Sequence, residues 1–234
     1  MVFGLPGLHA GLGTKLQADG VARVSTGYMD SRRRMPSGII NAEGVMHPSQ
    51  LACILQGRQD PILSTRGAAK LAQEIGVEEV DLRTPESIAA RHAQQGKGSN
   101  VDRGTIGCVS IDAEGNMLVI TSTGGTGNEE PDRVGDSSTV AGTYCTEWVA
   151  ISCTAFAARI GTRIEDGMSL HDAMDLGIRE ADERGFVIDA IAVSRSKDED
   201  GGAVSWAAGG TEHAFLWAVR LPDRNVSFRT VIRS

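Results

Sequence analysis

The residues best suited to chemistry in this sequence are a threonine and the glycine before it. Gly104-Thr105-Ile106-Gly107 puts Thr105 at the head of an apolar run, directly behind the polar, glycine-bearing stretch HAQQGKGSNVDRG of residues 92–104. A cut between Gly104 and Thr105 would leave Thr105 with a free α-amine of pKa about 8 beside its own hydroxyl. One residue would then supply both nucleophile and base. Left uncut, the same pair is an ordinary turn at a strand start. Other nucleophile patterns are missing: there is no Gly-x-Ser-x-Gly elbow, and around Gly96-Lys97 a phosphate loop fails because Arg91 stands for its first glycine and Gly98 for its Ser/Thr. Cys53, Cys108, Cys145 and Cys153 form no Cys-x-x-Cys pair and are expected as buried free thiols, three of them within apolar stretches. The five histidines form no His-x-x-x-His pair, so no metal site and no cofactor are expected.

Strands and helices must hold Thr105 in place. Residues 21–29 and 38–45 read as strands, followed by a helix from Pro48 with Leu51, Ala52, Ile54 and Leu55 at helical spacing. Thr65 is expected to cap a second helix carrying Ala68, Ala69, Leu71, Ala72 and Ile75, and Thr84-Pro85 opens a third. Residues 93–104 form the linker. Residues 105–111 and 116–122 read as a hairpin across the turn Asp112-Ala113-Glu114-Gly115. By composition alone residues 123–143, dense in Gly, Thr, Ser and Asp, form a long solvated loop. A strand at 148–153, a helix with Ala157, Ala158 and Ile160, a helix capped by Ser169, and strands at 186–193, 203–207, 214–219 and 226–232 complete the chain. Both halves pair strands with helices, which predicts stacked sheets covered by helices within one domain, residues 1–234.

Composition narrows the function classes. With 234 residues, 41% hydrophobic and 29 glycines, the chain is long enough to bury a sizeable core. A formal charge of −7, with no basic cluster beyond Arg32-Arg33-Arg34, argues against phosphate-backbone binding, and 4% aromatics leave little stacking surface for single strands, so no nucleic-acid partner is expected. No run approaches the roughly 18 apolar residues of a membrane span, and the first residues lack the basic start and apolar core of a signal peptide. A cytoplasmic protein without a membrane partner is the expectation.

The motifs around Thr105 carry a resemblance. TIGCVSIDAEGNMLVITSTGG (residues 105–125), followed by Arg133-Val134-Gly135-Asp136-Ser137, closely resembles the plant-type L-asparaginase/isoaspartyl peptidase family of N-terminal-nucleophile hydrolases. The likeness extends to His9-Ala10-Gly11-Leu12-Gly13 (the family's Asn-Ala-Gly segment), Met29-Asp30 (its Met-Asp) and Ser152-Cys153-Thr154 (its Ser-Cys-Thr).

The resemblance implies an α+β fold, the four-layer αββα sandwich, in which residues 1–104 form the α-chain part and 105–234 the β-chain part. It implies autoproteolysis at Gly104-Thr105, which frees Thr105 as the nucleophile. Thr123 matches the threonine that hydrogen-bonds it. Arg133 matches the guanidinium that grips the substrate α-carboxylate, Asp136 the acceptor of its α-ammonium, and Thr154 the oxyanion-hole threonine. Ala155 stands at the substrate-binding glycine that partners Thr154. The implied reaction is hydrolysis of the side-chain amide of L-asparagine or of β-aspartyl (isoaspartyl) dipeptides through a covalent β-aspartyl ester, by a homodimer of processed protomers. Aspartylglucosaminidase is the nearer enzymatic rival, although Gly125 of Ser122-Thr123-Gly124-Gly125 stands where those enzymes usually carry asparagine. The non-enzymatic alternative is an unprocessed homologue with a binding or structural role. It is motivated by four departures: His9 for the family's asparagine, Ala155 for glycine, a segment after Thr154 shorter by about three helical turns, and an expected lack of the family's amino-terminal glycine-rich strand and long helix. The family's sodium site, made of backbone carbonyls, would fall around residues 8–13.

Overall fold

A computed structural model describes residues 10–94, 104–196 and 203–211, together with the backbone of 216–220 and 225–229. Two sheets face each other. The first has the order β3-β2-β1-β5-β4, built from β1 (Val24–Asp30), β2 (Ser37–Ala42), β3 (Ile62–Ser64), β4 (Ile106–Ile111) and β5 (Met117–Thr123). All its pairings are antiparallel except the short parallel β2–β3 contact. The second runs β6-β7-β8-β9, antiparallel throughout, from β6 (Thr143–Cys145), β7 (Val149–Cys153), β8 (Asp189–Arg195) and β9 (Val204–Gly210). A separate antiparallel pair joins β10 (Leu216–Arg220) to β11 (Asn225–Arg229).

Helices close the outer faces. Against the first sheet lie α1 (Pro48–Leu55) and α2 (Thr65–Glu74), whose Leu51, Leu55, Leu71 and Ala68 are buried with Val24 and Ile39. Against the second lie α4 (Ala157–Glu165) and α5 (Leu170–Glu183), with Ile160, Ala173 and Met174 packed on Val149 and Ile151. Burial of each large aliphatic side chain contributes about 1.5–3 kcal/mol before chain entropy is charged. Between the sheets, Met29, Met117 and Val119 meet Cys145, Ala150 and Val193. The αββα layering expected from the resemblance is therefore present.

Period-two alternation decides what enters that middle layer. On β7, Val149, Ile151 and Cys153 face the helices while Ala150 faces the other sheet. On β5, Met117 and Val119 face inward, and Thr121 continues the row by bonding Ser152 across the gap, Oγ1 to Oγ 2.8 Å. Gly107 of β4 completes this contact. A Cβ there would run into the Ser152 side chain, so the two sheets close at this point only over a glycine.

Several boundaries differ from the sequence reading. The two three-residue strands β3 and β6 are too short for alternation to reveal. Thr65 does not cap α2: Ser64 precedes the helix, without a side-chain cap bond, and Thr65 is already helical. Thr84 does cap α3 (Pro85–Gln94), accepting from the Ser87 N–H at 3.2 Å while Ser87 Oγ accepts from the Thr84 N–H at 3.0 Å. Ser169 likewise accepts from Asp172 N–H. Cys53 and Cys108 are exposed, contrary to expectation, because they point from α1 and β4 away from the packed faces; Cys145 and Cys153 are buried. Of the linker, residues 95–103 lie outside the described residues, as does His9.

Residues 123–143 are not the solvated loop that their composition suggests. Glu129, Ser137, Ser138 and Thr143 are all buried. Several of its polar groups bond backbone: Ser138 Oγ donates to Ile39 O at 3.0 Å and Thr143 Oγ1 to Ser137 O at 2.7 Å.

Candidate active site

Register carries Thr105 to its neighbour. Antiparallel pairing sets Ile106 opposite Ser122 and Ser25 opposite Thr123, so the start of β4, the end of β5 and the start of β1 meet at one end of the first sheet. Thr105 Oγ1 donates to Thr123 Oγ1 at 3.2 Å, and the Gly125 N–H reaches the same oxygen at 3.1 Å. Two donors thus converge on Thr123 Oγ1. Thr105 itself is exposed, open to a solvent-borne partner, whereas Thr123 is buried.

Next to Thr123 runs a narrow cleft whose lining includes Ser25, Asn41, Gly125, Glu129 and Arg133. Its walls are tied down locally. Asn41 takes a left-handed conformation (φ 52°), donates its backbone N–H to Ser25 Oγ at 3.0 Å, and donates from Nδ2 to Arg133 O at 3.2 Å. The Arg133 N–H in turn bonds Glu130 O at 3.1 Å. Both arginines in the cleft wall are cations, but their situations differ. Arg23, with a side chain only 9% exposed, is held by Asp19, Glu43 and Asp132. Arg133 is exposed and has no carboxylate partner among the described residues, so its planar fork is open to an anionic group.

A second group lies further along the same loop. Asp136 Oδ2 accepts from the Ala155 N–H at 2.7 Å, and no ion pair joins Asp136 to Arg133 among the described residues. Thr154 follows directly on β7, half-buried, its N–H bonded to Asp189 O at 3.2 Å. Ala155 stands at φ 59°, a left-handed conformation that costs a Cβ-bearing residue about 1 kcal/mol and suits glycine. The structure therefore brings Thr105, Thr123 and Arg133 around one cleft and sets Asp136, Thr154 and Ala155 together beside it. The loop 133–136 connects them.

The thiol next to Thr154 is no rival nucleophile. Burial pushes Cys153 far above the ordinary thiol range, which keeps it protonated. Among the described residues no cluster of His, Cys, Asp or Glu is arranged to hold a metal ion, and no helix is long and apolar enough to cross a membrane. Sequence reasoning missed Glu129, Asn41 and Ser25 as parts of the cleft. Glu129-Glu130-Pro131 reads as solvent-facing, and only burial singles out Glu129.

A family model described as asparaginase matches residues 4–224. The chain belongs to the asparaginase family. Among its relatives, an isoaspartyl peptidase/L-asparaginase from Synechocystis is 36% identical over 225 residues, covering 86% of this chain and 67% of that protein. One of the same name from Nostoc is also 36% identical, over 86% of this chain and 70% of its own length. The human isoaspartyl peptidase/L-asparaginase is 27% identical over 91% and 74% respectively. This asparaginase-family chain thus shares a hydrolase scaffold with them across most of its length.

Proposed function

We propose that the protein is a threonine-nucleophile amidohydrolase that cleaves the side-chain amide of L-asparagine, the β-linked bond of isoaspartyl dipeptides, or both, after autoproteolysis between Gly104 and Thr105. The observation that carries this reading is the 3.2 Å hydrogen bond between Thr105 and Thr123 at the edge of a cleft holding Arg133, which has no carboxylate partner among the described residues. The names of the relatives supply the substrate class.

The chemistry divides among the named residues. Once freed, the Thr105 α-amine takes the proton from its own hydroxyl while Oγ1 attacks the side-chain carbonyl carbon. Negative charge developing on the carbonyl oxygen is met by the Thr154 hydroxyl. Thr123 orients the attacking oxygen. When the C–N bond breaks, the Thr105 ammonium returns the proton to the leaving ammonia or amine, leaving a β-aspartyl ester on Oγ1. Water then attacks the ester, releasing aspartate and restoring Thr105. Arg133 grips the α-carboxylate, Asp136 receives the α-ammonium, and Ala155 borders the substrate. The reading takes the working form as a cytoplasmic homodimer of processed protomers acting on a small molecule, with no cofactor.

One observation favours the alternative, an unprocessed homologue that binds without cleaving. Asp136 Oδ2 is already engaged by Ala155 N–H at a position where the backbone favours glycine. Denaturing intact-mass spectrometry, fresh and after long incubation, separates the two. Two fragments meeting at Gly104 and Thr105, with aspartate released from asparagine or β-aspartyl dipeptide, are expected. Thr105→Ala should give one mass and lose roughly a thousandfold or more in rate. A lasting full-length mass with no aspartate released would overturn the hydrolase reading.

A further inference from the structure

We infer that Glu129 is a specificity-determining residue of this cleft, accepting a hydrogen bond from the substrate's α-ammonium alongside Asp136. The inference rests on the hydrolase reading above and adds to it a residue that the sequence motifs do not contain.

Glu129 is 7% exposed, and its two carboxylate oxygens have different surroundings. Oε1 accepts from the Thr126 N–H at 3.1 Å. Oε2 is buried and has no hydrogen-bond partner among the described residues. A buried carboxylate oxygen without a donor costs several kcal/mol, a penalty that a water or an incoming N–H group relieves. The carboxylate lines the cleft that also contains Thr123 and Arg133, which as it stands has room for about one water, about 10 Å³, so a bound ammonium takes that water's place. It is close to the reacting end: a Cβ on Gly125 would collide with Glu129 Oε1, and the Gly125 N–H bonds Thr123 Oγ1, the partner of Thr105.

The missing partner has to be a donor. Arg23 cannot serve, because Asp19, Glu43 and Asp132 surround it. If Arg133 takes an α-carboxylate, a zwitterion bound there brings an ammonium with three N–H groups attached to the adjacent carbon. Asp136 has already committed Oδ2 to Ala155 N–H, so it does not satisfy all three. Glu129 Oε2 supplies a further acceptor. The consequence is discrimination: an aspartyl group with its ammonium fills the acceptor, while an otherwise equal ligand without it leaves a buried carboxylate unpaired.

The test compares L-asparagine with its desamino analogue succinamate, and L-aspartate with succinate, on processed wild-type protein, Glu129→Gln and Glu129→Asp. Wild type should prefer asparagine strongly in kcat/KM. Glu129→Gln should lose at least tenfold in kcat/KM for asparagine, mainly through KM, with succinamate turnover unchanged or raised. Glu129→Asp should recover part of the loss. Calorimetric binding of aspartate against succinate should shift in the same direction. Equal losses for both substrates, or no loss, would overturn the assignment while leaving the hydrolase reading intact. If a destabilised Glu129→Gln fails to fold, wild-type protein that binds succinate as tightly as aspartate does the same. Wild-type protein that neither hydrolyses asparagine or β-aspartyl dipeptide nor binds aspartate overturns both.

Discussion

Two strands deliver candidate site residues from opposite sheets, and they are built differently. β7, which ends just before Thr154, is buried at all five positions, with helices on one face and the first sheet on the other. β4, which begins just after Thr105, lies at the edge of its sheet, with Cys108 and Ser110 turned to solvent. The oxyanion donor proposed at Thr154 therefore inherits its position from the core. The nucleophile proposed at Thr105 inherits its position from an edge strand held by one ladder, by Val109 and Ile111 half-buried against the middle layer, and by the Gly107 contact with Ser152. A residue that must be reached, and in the proposed reaction cut free from Gly104, belongs on the more open strand.

Substitutions can break or sharpen this contrast. Ile151→Ala, in the buried strand, should cost about 2–5 kcal/mol in chemical denaturation, whereas Ser110→Ala on the exposed face of β4 should stay within about 0.5 kcal/mol. Similar values for the two would erase the distinction. Gly107→Ala tests the point where β4 meets Ser152 of the second sheet. Forcing Ser152 aside should cost about 1–3 kcal/mol and disturb the Thr105–Thr123 bond, seen as a fall in kcat larger than the change in KM. An unchanged melting temperature would mean that the strand shifts freely.

Ala155→Gly should act in the other direction, gaining up to about 1 kcal/mol by relieving the left-handed alanine. A loss of stability would show that the Ala155 methyl contributes packing that outweighs the strain. The smallest effect is expected far from the cleft. Glu180 on α5 is held at about 2, below its usual 4.5, by hydrogen bonds from Arg159 and then Arg163 on α4. Its depressed pKa adds stability above the ordinary carboxylate range, and that stability is lost as the pH falls toward 2. Glu180→Gln should lower the melting temperature by roughly a degree or two at pH 7, and the difference from wild type should vanish near pH 2. A constant difference across that range would attribute the effect to packing.

Much of this arrangement was legible in the residues. The Asp112 to Gly115 turn and its flanking alternation gave the β4–β5 hairpin, whose register brings Thr105 to Thr123. Pro48, Thr84-Pro85 and Ser169 marked helix starts through elementary capping chemistry. The strands β3 and β6 were illegible because three residues cannot display a period. Residues 123–143 were misread for a different reason: Ser138, Thr139 and Thr143 bond backbone carbonyls, so low hydrophobicity did not mean solvent. Glu129 belongs to the same class. Its burial follows from how the loop folds over the first sheet, which no local pattern encodes.

The strand order of the first sheet has a consequence for what a cut at Gly104 would leave behind. β1, β2 and β3 precede that bond in sequence and β4 and β5 follow it, so the sheet would become joint property of two polypeptides. Six residue pairs along β1–β5, from Ser25 opposite Thr123 to Asp30 opposite Leu118, would turn from an internal ladder into a subunit interface without moving an atom. The severed pieces would then copurify as one particle under native conditions and come apart only in denaturant, each carrying half of a sheet that neither could close alone.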